Sequence, residues 1–293
     1  MGHEVYFEAA PAKVNLSLHV TGRRADGYHN LESLMVFADV SDELEAVEAK
    51  GDSLTVVGPF STGLGAGSTN LVMKAVAAFR AKWPEHVPFG LAVTLRKNLP
   101  VAAGLGGGSA DAAAALRLMD GLGAQPVPQD ELLALALSLG ADVPACLVSR
   151  PCEVRGIGEI VEPLADFPLC HIVLVNPLIP VATADIFRRM QSRDNPSMPE
   201  LPDPLTLPVQ LGIWLAETRN DLEPAAISLV GEIGELIERM ALTQGCMLAR
   251  MSGSGATVFG LFGSSAQAHQ AAHDLRAFRP DYWVAAAPLI LPE

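Results

Sequence analysis

Apolar and polar residues alternate along residues 14–20, where every second position from Val14 to Val20 carries valine or leucine. Side chains of a β-strand point alternately to its two faces, so this period predicts a strand with one buried face. Lys13 and Asn15 then lie together on the opposite face. The stretch therefore predicts a cation and an amide on one face of a first strand.

The spacing of apolar residues predicts further strands and helices along the rest of the chain. Five prolines between Pro196 and Pro208 are too many for a regular element, so a surface excursion is expected there. Gly140 is expected to end the helix before it. The predicted strands are residues 91–95, 171–175, 246–251, 257–262 and 282–286, and the predicted helices are residues 112–119, 131–139, 209–218, 225–242 and 266–277.

Strands and helices follow one another in two unequal runs, which predicts an α+β fold. The 293 residues suffice for two domains, since one domain takes about 150 residues. We expect the first domain at residues 1–165 and the second at residues 166–293. Apolar residues make up 49% of the chain and charged residues 18%, a composition that can build a core and excludes general disorder.

The formal net charge of -13 argues against a nucleic-acid partner, because such proteins neutralise phosphates with basic surfaces. It does not exclude a small anionic substrate, since a few local cations can outweigh a distant acidic surface. No apolar run reaches the length of about 18 residues that a membrane span needs. The N-terminus lacks the basic and apolar regions of a signal peptide, so we expect a cytoplasmic protein without a membrane partner.

The four cysteines form no CxxC pair and have no histidine spacing typical of zinc, so no metal site is predicted from them. They are Cys146, Cys152, Cys170 and Cys246.

A run of small residues between Gly104 and Ser109 lies after a predicted strand and before a predicted helix. The first turn of a helix has backbone N–H groups without internal partners, and the helix dipole adds partial positive charge there. Glycines leave these groups accessible to a phosphate. Alternatively, the glycines allow tight packing without any ligand. The Walker, dinucleotide-binding and protein-kinase motifs are all absent, so the loop alone indicates phosphate binding and nothing more specific.

Three other segments carry candidate chemistry, and each has an alternative explanation. Lys13 supplies a cation, or is a solvated strand-end lysine. Asp142 supplies a carboxylate directly after a helix, or caps the next helix before Pro144. The segment from Ser252 to Ala256 is a second glycine motif, or a plain hairpin turn.

Taken together and in this order, PAKVNL (residues 11–16), PVAAGLGGGSA (100–110) and SGSGA (252–256) resemble the motifs of the GHMP kinase superfamily. RADGYHNL (24–31) and LGADVP (139–144) bring the resemblance closest to the branch that acts on a cytidyl-capped methylerythritol. The resemblance implies a two-domain fold. Its N-terminal domain is ribosomal-S5-like and binds the nucleotide, and its C-terminal domain is ferredoxin-like.

The resemblance also implies a role for individual residues. Lys13 and Asp142 correspond to the catalytic pair, in which the carboxylate accepts or orients the proton of the substrate hydroxyl and the lysine polarises that hydroxyl. The implied ATP-binding residues are Asn70, Lys97, Gly104, Leu105, Gly106, Gly107, Gly108 and Ser109; the implied substrate-binding residues are Asn15, Tyr28, His29, Thr183 and Phe187; and Gly253, Ser254 and Gly255 are implied to form the active-site wall.

The implied activity is ATP-dependent phosphorylation of the tertiary 2-hydroxyl of the cytidyl-capped substrate. Mg²⁺ is expected with ATP, but its ligands stay unassigned, because Asp111 is the one carboxylate beside the loop and it equally suits the helix dipole. The alternatives are a homoserine or mevalonate type of kinase, or a non-catalytic nucleotide-binding member of the fold. We expect a monomer or a weak homodimer.

Overall fold

A computed structural model describes residues 4–25 and 27–292 of the chain. Met1 to His3, Asp26 and Glu293 lie outside the described residues, and with them one position of the RADGYHNL motif. The strands are β1 (Val5–Asn15), β2 (His19–Arg23), β3 (His29–Ala49), β4 (Ser53–Val57), β5 (Gly90–Arg96), β6 (Cys152–Gly156), β7 (Ile160–Pro163), β8 (His171–Asn176), β9 (Cys246–Met251), β10 (Val258–Phe262) and β11 (Trp283–Pro288). The helices are α1 (Leu71–Lys82), α2 (Gly107–Gly121), α3 (Gln129–Leu139), α4 (Val143–Val148), α5 (Thr183–Arg189), α6 (Pro208–Ala216), α7 (Glu223–Leu229), α8 (Gly231–Ala241) and α9 (Ser265–Phe278).

The chain divides into two compact units, each built from several segments of sequence. The first unit comprises Met1–Ala12, Ser41–Val101 and Gly106–Val148, and the second comprises Lys13–Val40, Ala102–Leu105 and Ser149–Glu293. These units interleave along the sequence, whereas the predicted domains at residues 1–165 and 166–293 are separated by one boundary. That boundary stays a prediction.

In the first unit, β5 is the central strand of three. It pairs antiparallel with residues 43–49 of β3 and parallel with β4. Its alternating residues Leu91, Val93 and Leu95 are buried, which confirms the strand predicted from their spacing. Helices α1, α2, α3 and α4 of the same unit pack against one another.

Helix α2 begins at Gly107, within the glycine run and earlier than the predicted start at residue 112. Gly106 precedes it with φ 62°, a left-handed conformation that glycine adopts without strain. Residues 110–116 are all buried. Because most of them are alanines, α2 packs closely against α1 and α4. Helix α3 ends at Leu139 with Gly140 as its C-cap, as predicted.

The second unit contains a four-stranded antiparallel sheet in the order β11-β8-β10-β9. The predicted strands at residues 171–175, 246–251, 257–262 and 282–286 correspond to these four. Helices α8 and α9 pack against the sheet and bury Ile233, Leu236 and Leu275 in the same core as Val175 and Phe262. In the same unit, β2 and β6 each pair with the first part of β3, and β7 pairs with β6.

The predicted strand at residues 14–20 differs from the structure in two ways. The chain leaves the β-conformation between Asn15, the end of β1, and His19, the start of β2. Residues 10–20 are buried without alternation, so the polar face is covered as well. Its polar side chains are satisfied inside the unit: Ser17 Oγ accepts from Leu34 N, and His19 Nε2 accepts from Arg219 N. Buried polar groups need such partners, and the alternation alone does not reveal them.

The predicted helix at residues 225–242 is two helices, because Val230 has an extended backbone between α7 and α8. No regular element occurs from Pro196 to Leu207, as predicted from the prolines. This segment is nevertheless fastened to its unit, since Met198 N donates to Glu32 and Trp214 Nε1 donates to the Glu200 carbonyl. Along the part of the chain that the structure describes, no helix has the length and apolar character to cross a membrane.

Arg250 on β9 is buried and connects separate segments of the second unit by hydrogen bonds. Its guanidinium donates to the carbonyl oxygens of Leu16 at 2.8 Å, Leu215 at 3.1 Å and Thr218 at 2.8 Å, and to Thr218 Oγ1 at 2.9 Å. Burial lowers the pKa of Arg250 to about 10, while the nearby Glu223 carboxylate opposes that shift. The side chain therefore stays charged at neutral pH and joins three segments through main-chain oxygens.

Replacing Arg250 by Met should destabilise the protein by about 3 kcal/mol, because the buried carbonyl groups of Leu16 and Thr218 lose the guanidinium donor and methionine supplies none. The Leu215 carbonyl keeps its bonds from Thr218. Urea unfolding measures the change. Arg155→Met is the matched control in the same unit, since Arg155 is half-exposed and meets Glu153 and Glu162 only at 3.4 Å. The control should stay within about 0.5 kcal/mol of the wild type. Equal stabilities of the two variants would contradict this role of Arg250.

Candidate active site

The N-terminus of α2 offers backbone donors to an anion. Gly106 is the N-cap residue, and no side chain caps the helix. The first intrahelical bond runs from Ala110 N to Gly106 O at 2.8 Å, so the N–H groups of Gly107, Gly108 and Ser109 have no acceptor within the helix. The helix dipole adds partial positive charge at the same place. This arrangement suits a phosphate group.

The glycines at the start of α2 are not required by packing. A Cβ at Gly107 would meet Lys97 Nζ at 3.4 Å and Asp42 Oδ2 at 3.5 Å, and a Cβ at Gly108 would meet Leu71 Cδ1 at 3.5 Å. These are ordinary contact distances. Of the two explanations for the glycine run, access of a ligand to the backbone therefore fits Gly107 and Gly108 better.

Gly104 fits the other explanation, tight packing, because its backbone lies directly against the loop at residues 252–256. It has φ 76°, and a Cβ there would overlap the Ser252 carbonyl oxygen and lie 2.9 Å from Gly255 N. Ser252 Oγ donates to the Gly104 carbonyl at 2.9 Å, and Thr257 N donates to the Ala103 carbonyl at 3.1 Å. The second glycine motif is therefore the packing partner of the first residues of the glycine run.

Lys13 and Asn15 share one face of β1, as predicted, and both are buried. Lys13 Nζ donates to Asn15 Oδ1 at 2.7 Å. Asn15 Nδ2 in turn donates to Ser33 Oγ at 2.8 Å, and Asn15 N donates to Ser252 Oγ at 3.2 Å. Lys13 N also donates to the Leu105 carbonyl at 3.0 Å. The strand end therefore presents an ammonium group whose position is fixed by an amide that is itself held on both sides.

An aromatic pair forms beside α5. The imidazole of His29 stacks on the ring of Phe187, with centroids 4.8 Å apart and planes 20° apart. His29 Nε2 is buried and has no hydrogen-bond partner among the described residues. Burial lowers the pKa of His29, and the positive charges of Arg193 and Arg23 lower it further. A neutral imidazole has one donor and one acceptor nitrogen, which can form hydrogen bonds with a heterocyclic base.

The other residues predicted for the substrate have separate positions in the second unit. Tyr28, next to His29, is 60% exposed, and the ring stacked on Phe187 is that of His29. Thr183 Oγ1, at the start of α5, lies 2.9 Å from Ser254 Oγ. This contact brings a residue predicted to bind the substrate to the predicted active-site wall.

In the first unit, the side chain of Asn70, one of the predicted nucleotide residues, is engaged with the protein itself. Asn70 is the N-cap of α1, where Oδ1 accepts from Val72 N at 3.0 Å and Nδ2 donates to the Gly65 carbonyl at 2.9 Å.

Asp142 precedes α4, and its carbonyl accepts from Cys146 N at 3.0 Å. The capping role that was the alternative for Asp142 thus exists for its main chain, and its half-buried carboxylate is a separate group.

Lys97 belongs to a buried charge cluster with Asp42 and Asp111. Its Nζ donates to Asp42 and, at 2.7 Å, to Asp111 Oδ2, and all three side chains are buried. The motifs did not reveal Asp42. A signal was present, because Asp42 shares the buried face of β3 with Leu44 and Ala46, where the two-residue period calls for apolar side chains.

The two carboxylates near the glycine run, Asp42 and Asp111, are bound to the Lys97 ammonium group. Throughout residues 4–25 and 27–292, no three or more His, Cys, Asp or Glu side chains are grouped so that they could hold a metal ion. The magnesium ligands stay unassigned.

Two family models match the chain: the GHMP kinase N-terminal domain over residues 70–150 and the GHMP kinase C-terminal domain over residues 208–281. Solved structures agree in fold. Homoserine kinase from Cytophaga hutchinsonii has a TM-score of 0.71 at 19% identity and covers 98% of this chain and 97% of its own. The α+β architecture and these matches define a GHMP kinase.

Curated relatives identify the branch of the GHMP kinases to which the chain belongs. The chain is 47% identical to 4-diphosphocytidyl-2-C-methyl-D-erythritol kinase of Cereibacter sphaeroides, covering 94% of this chain and 96% of that protein. It is 48% identical to the enzyme of that name from Parvibaculum lavamentivorans, again over 94% and 96%. A solved structure of 4-(cytidine 5'-diphospho)-2C-methyl-D-erythritol kinase has a TM-score of 0.80 at 35% identity and covers 97% and 99%. The chain therefore belongs to the 4-diphosphocytidyl-2-C-methyl-D-erythritol kinases.

Family membership confirms the predicted superfamily, the predicted branch and the predicted α+β GHMP kinase fold. It also confirms a transferase that phosphorylates an alcohol, and GHMP kinases use ATP as the phosphoryl donor. The roles assigned to individual site residues stay predictions.

Gly104→Ala should reduce kinase activity by more than about tenfold, because the added Cβ would force apart the glycine run and the loop at 252–256. Two controls separate the effect of backbone strain from the effect of steric overlap. Gly63→Ala carries the strain of φ 81° without any neighbour within 4 Å, and Gly65→Ala carries neither. Steady-state rates, with melting temperatures to confirm folding, should place both controls near the wild type. A Gly104→Ala variant as active as Gly65→Ala would contradict the packing role.

Proposed function

We propose that the chain transfers the γ-phosphoryl group of ATP to the 2-hydroxyl of 4-diphosphocytidyl-2-C-methyl-D-erythritol, in the non-mevalonate route to isoprenoid precursors. The observation that carries the proposal is 45–48% identity to curated kinases of that name over nearly the whole chain. The stacked pair of His29 and Phe187 supports it, because a neutral imidazole against an aromatic face suits a pyrimidine base.

The ATP phosphates bind at the N-terminus of α2 in this proposal. The amides of Gly106 to Ser109 face no side-chain cap, and hydrogen bonds from such amides to an anion are stronger than those to a neutral acceptor. The Asn70 side chain already caps α1, so its contribution to the adenosine side is to hold the loop before that helix. Mg²⁺ enters with ATP, and its contacts to the protein are left open.

Lys13 and Asp142 form the catalytic pair of the proposal. Asp142 accepts or orients the proton of the 2-hydroxyl, and Lys13 polarises that hydroxyl. Phosphoryl transfer depends mainly on alignment and charge stabilisation, so two fixed charges suffice as the protein's chemical groups. The support for Lys13 is its rigid placement, since Asn15 holds its Nζ and is held in turn by Ser33 and Ser252.

The cytidyl group contacts Tyr28, His29 and Phe187. Stacking on an aromatic ring supplies affinity for any base, whereas hydrogen bonds to the imidazole distinguish cytosine from other bases. Thr183 lies near the substrate diphosphate, and residues 253–255 form the wall of the site. Asn15 positions the substrate in addition to Lys13.

The competing functions are less well supported. A homoserine or mevalonate kinase has no base to recognise, so the pair of His29 and Phe187 would have no role. The solved homoserine kinase from Cytophaga hutchinsonii is 19% identical to the chain, and a solved mevalonate kinase is 12% identical. A non-catalytic member of the fold would not need a buried, oriented Lys13. The cytoplasmic location, the absence of a nucleic-acid partner and the monomeric or weakly dimeric state stay predictions.

The purified chain should release ADP from magnesium ATP with the cytidyl substrate and not with galactose, homoserine or mevalonate. Asp142→Asn should lose turnover by at least about 100-fold and still bind ATP, since the amide keeps the size of the side chain and lacks its charge. A coupled ADP assay and nucleotide titration measure the two effects. Turnover with a control alcohol alone would overturn the proposed substrate, and unchanged turnover in Asp142→Asn would remove that residue from the chemistry.

His29→Ala should raise the substrate KM by about tenfold with little change in the KM for ATP, because the lost hydrogen bonds concern the base only. The lowered pKa of His29 adds a pH dependence: the imidazole is neutral above its ordinary pKa, so the substrate KM should be constant from neutral to alkaline pH. It should rise only where acid protonates the ring. A KM that changes equally for both substrates would contradict base recognition by His29.

A further inference from the structure

We propose that Lys97 is a positioning residue that holds the phosphate loop through Asp42 and Asp111 and does not itself contact ATP. This inference rests on the proposed function, because it assumes that the phosphates bind at the N-terminus of α2. It changes the role that the family resemblance implied for Lys97, which was ATP binding.

The geometry places the Lys97 ammonium between two carboxylates. It donates to Asp42 and, at 2.7 Å, to Asp111 Oδ2, and the side chain is 4% exposed. The pKa of Lys97 is raised: burial lowers it, but the charges of Asp111 and Asp42 together outweigh burial. An ammonium group held by two buried carboxylates has little capacity left for a nucleotide phosphate.

Asp42 fixes one side of the cluster. Its Oδ1 accepts from Asn98 N at 2.6 Å and from Leu99 N at 2.9 Å, while Asn98 Nδ2 donates to the Ser41 carbonyl at 3.1 Å. These bonds tie β3 to the turn that follows β5. Asp42 therefore has donors of its own and stays anchored whether or not Lys97 is present.

Asp111 connects the cluster to the phosphate loop, since it lies on α2 four residues after Gly107. Its Oδ1 is buried and has no hydrogen-bond partner among the described residues. Burial raises the pKa of Asp111 to about 7, against the opposing effect of the Lys97 charge. The cluster is thus neutral when Asp111 is protonated and carries one negative charge when it is ionised.

The first turn of α2 feels this charge at short range. A Cβ at Gly107 would lie 3.4 Å from Lys97 Nζ and 3.5 Å from Asp42 Oδ2, so the cluster borders the residue whose N–H group is proposed to hold phosphate. Negative charge in the cluster opposes anion binding, and the effect is large because charges interact more strongly in the low-dielectric interior than in water. Lys97 lowers that charge and at the same time fixes the direction of the helix start.

Most other charged groups on the elements around α2 have partners other than Asp111. Within the described residues, Arg80 pairs with Asp52, Lys82 with Glu131, Arg96 with Glu43 and Arg117 with Glu8. Asp120 accepts from Val127 N, and Lys74 lines a cavity beside α1. Helix α4 carries no charged side chain. Lys97 and Asp42 are therefore the charges that act on Asp111.

The test is a double-mutant cycle in the full-length chain, with calorimetric titration of a non-hydrolysable ATP analogue. Lys97→Met leaves two buried carboxylates and should weaken binding by about tenfold or more. Adding Asp111→Asn removes one of those charges and should restore most of the affinity. If Lys97 contacts the phosphates directly, the double variant should bind no better than Lys97→Met, and that result would overturn the proposal.

A second measurement covers the case in which Lys97→Met does not fold, as judged by its melting temperature. The ratio of affinities of Asp111→Asn and wild type should be near one about one pH unit below the Asp111 pKa. It should favour Asp111→Asn by about threefold or more above that pKa, because only the wild type gains negative charge as pH rises. A ratio that is independent of pH overturns the role of Asp111. Failure of the wild type to bind the analogue would instead overturn the proposed function and this inference with it.

Discussion

The hydroxyl group of Ser252 is the interaction on which the substrate-side arrangement depends. It donates to the Gly104 carbonyl and accepts from Asn15 N, so one small side chain joins the first strand, the glycine run and the second glycine motif. Asn15 positions the Lys13 ammonium group, and the absence of a Cβ at Gly104 allows the close approach. Because each group is buried and satisfied, moving any one of these segments would leave polar atoms of the others without partners.

Two kinds of glycine occur within one run, and they serve different physical needs. Gly104 lies where a side chain would overlap the main chain of Ser252, whereas Gly107 and Gly108 have only ordinary contacts nearby. The first is a requirement of packing and the others leave backbone amides accessible. A sequence pattern cannot separate these cases, since both consist of the same residue. The separation needs the position of the segment that packs against each glycine, which is distant in sequence.

Local patterns predicted β5, β8 to β11, α2, α3, α6 and α9. They merged β1 with β2 and α7 with α8, and they missed β4, β6, β7, α1, α4 and α5 as well as β3. The period of Leu91, Val93 and Leu95 identified β5, and Gly140 marked the end of α3. The 21-residue strand β3 was missed, and it contains Asp42, whose burial is explained by the donors Lys97 Nζ, Asn98 N and Leu99 N. The order of the motifs identified the family, because several short motifs in a fixed order are more specific than the chemistry of any one of them. The contacts among Lys97, Asp42 and Asp111 could not be predicted, since charge pairing follows from the tertiary fold.

The bond between Asn15 and Ser252 joins residues that are 237 positions apart. During synthesis, the Ser252 partner of Asn15 is therefore absent until nearly the whole chain has left the ribosome. Such long-range contacts carry a high loop-closure entropy and form late in folding. The bond that ties Asn15 to the loop at 252–256 consequently forms late in folding, after the contacts of Lys13 with Asn15 and of Asn15 with Ser33, which are local in sequence.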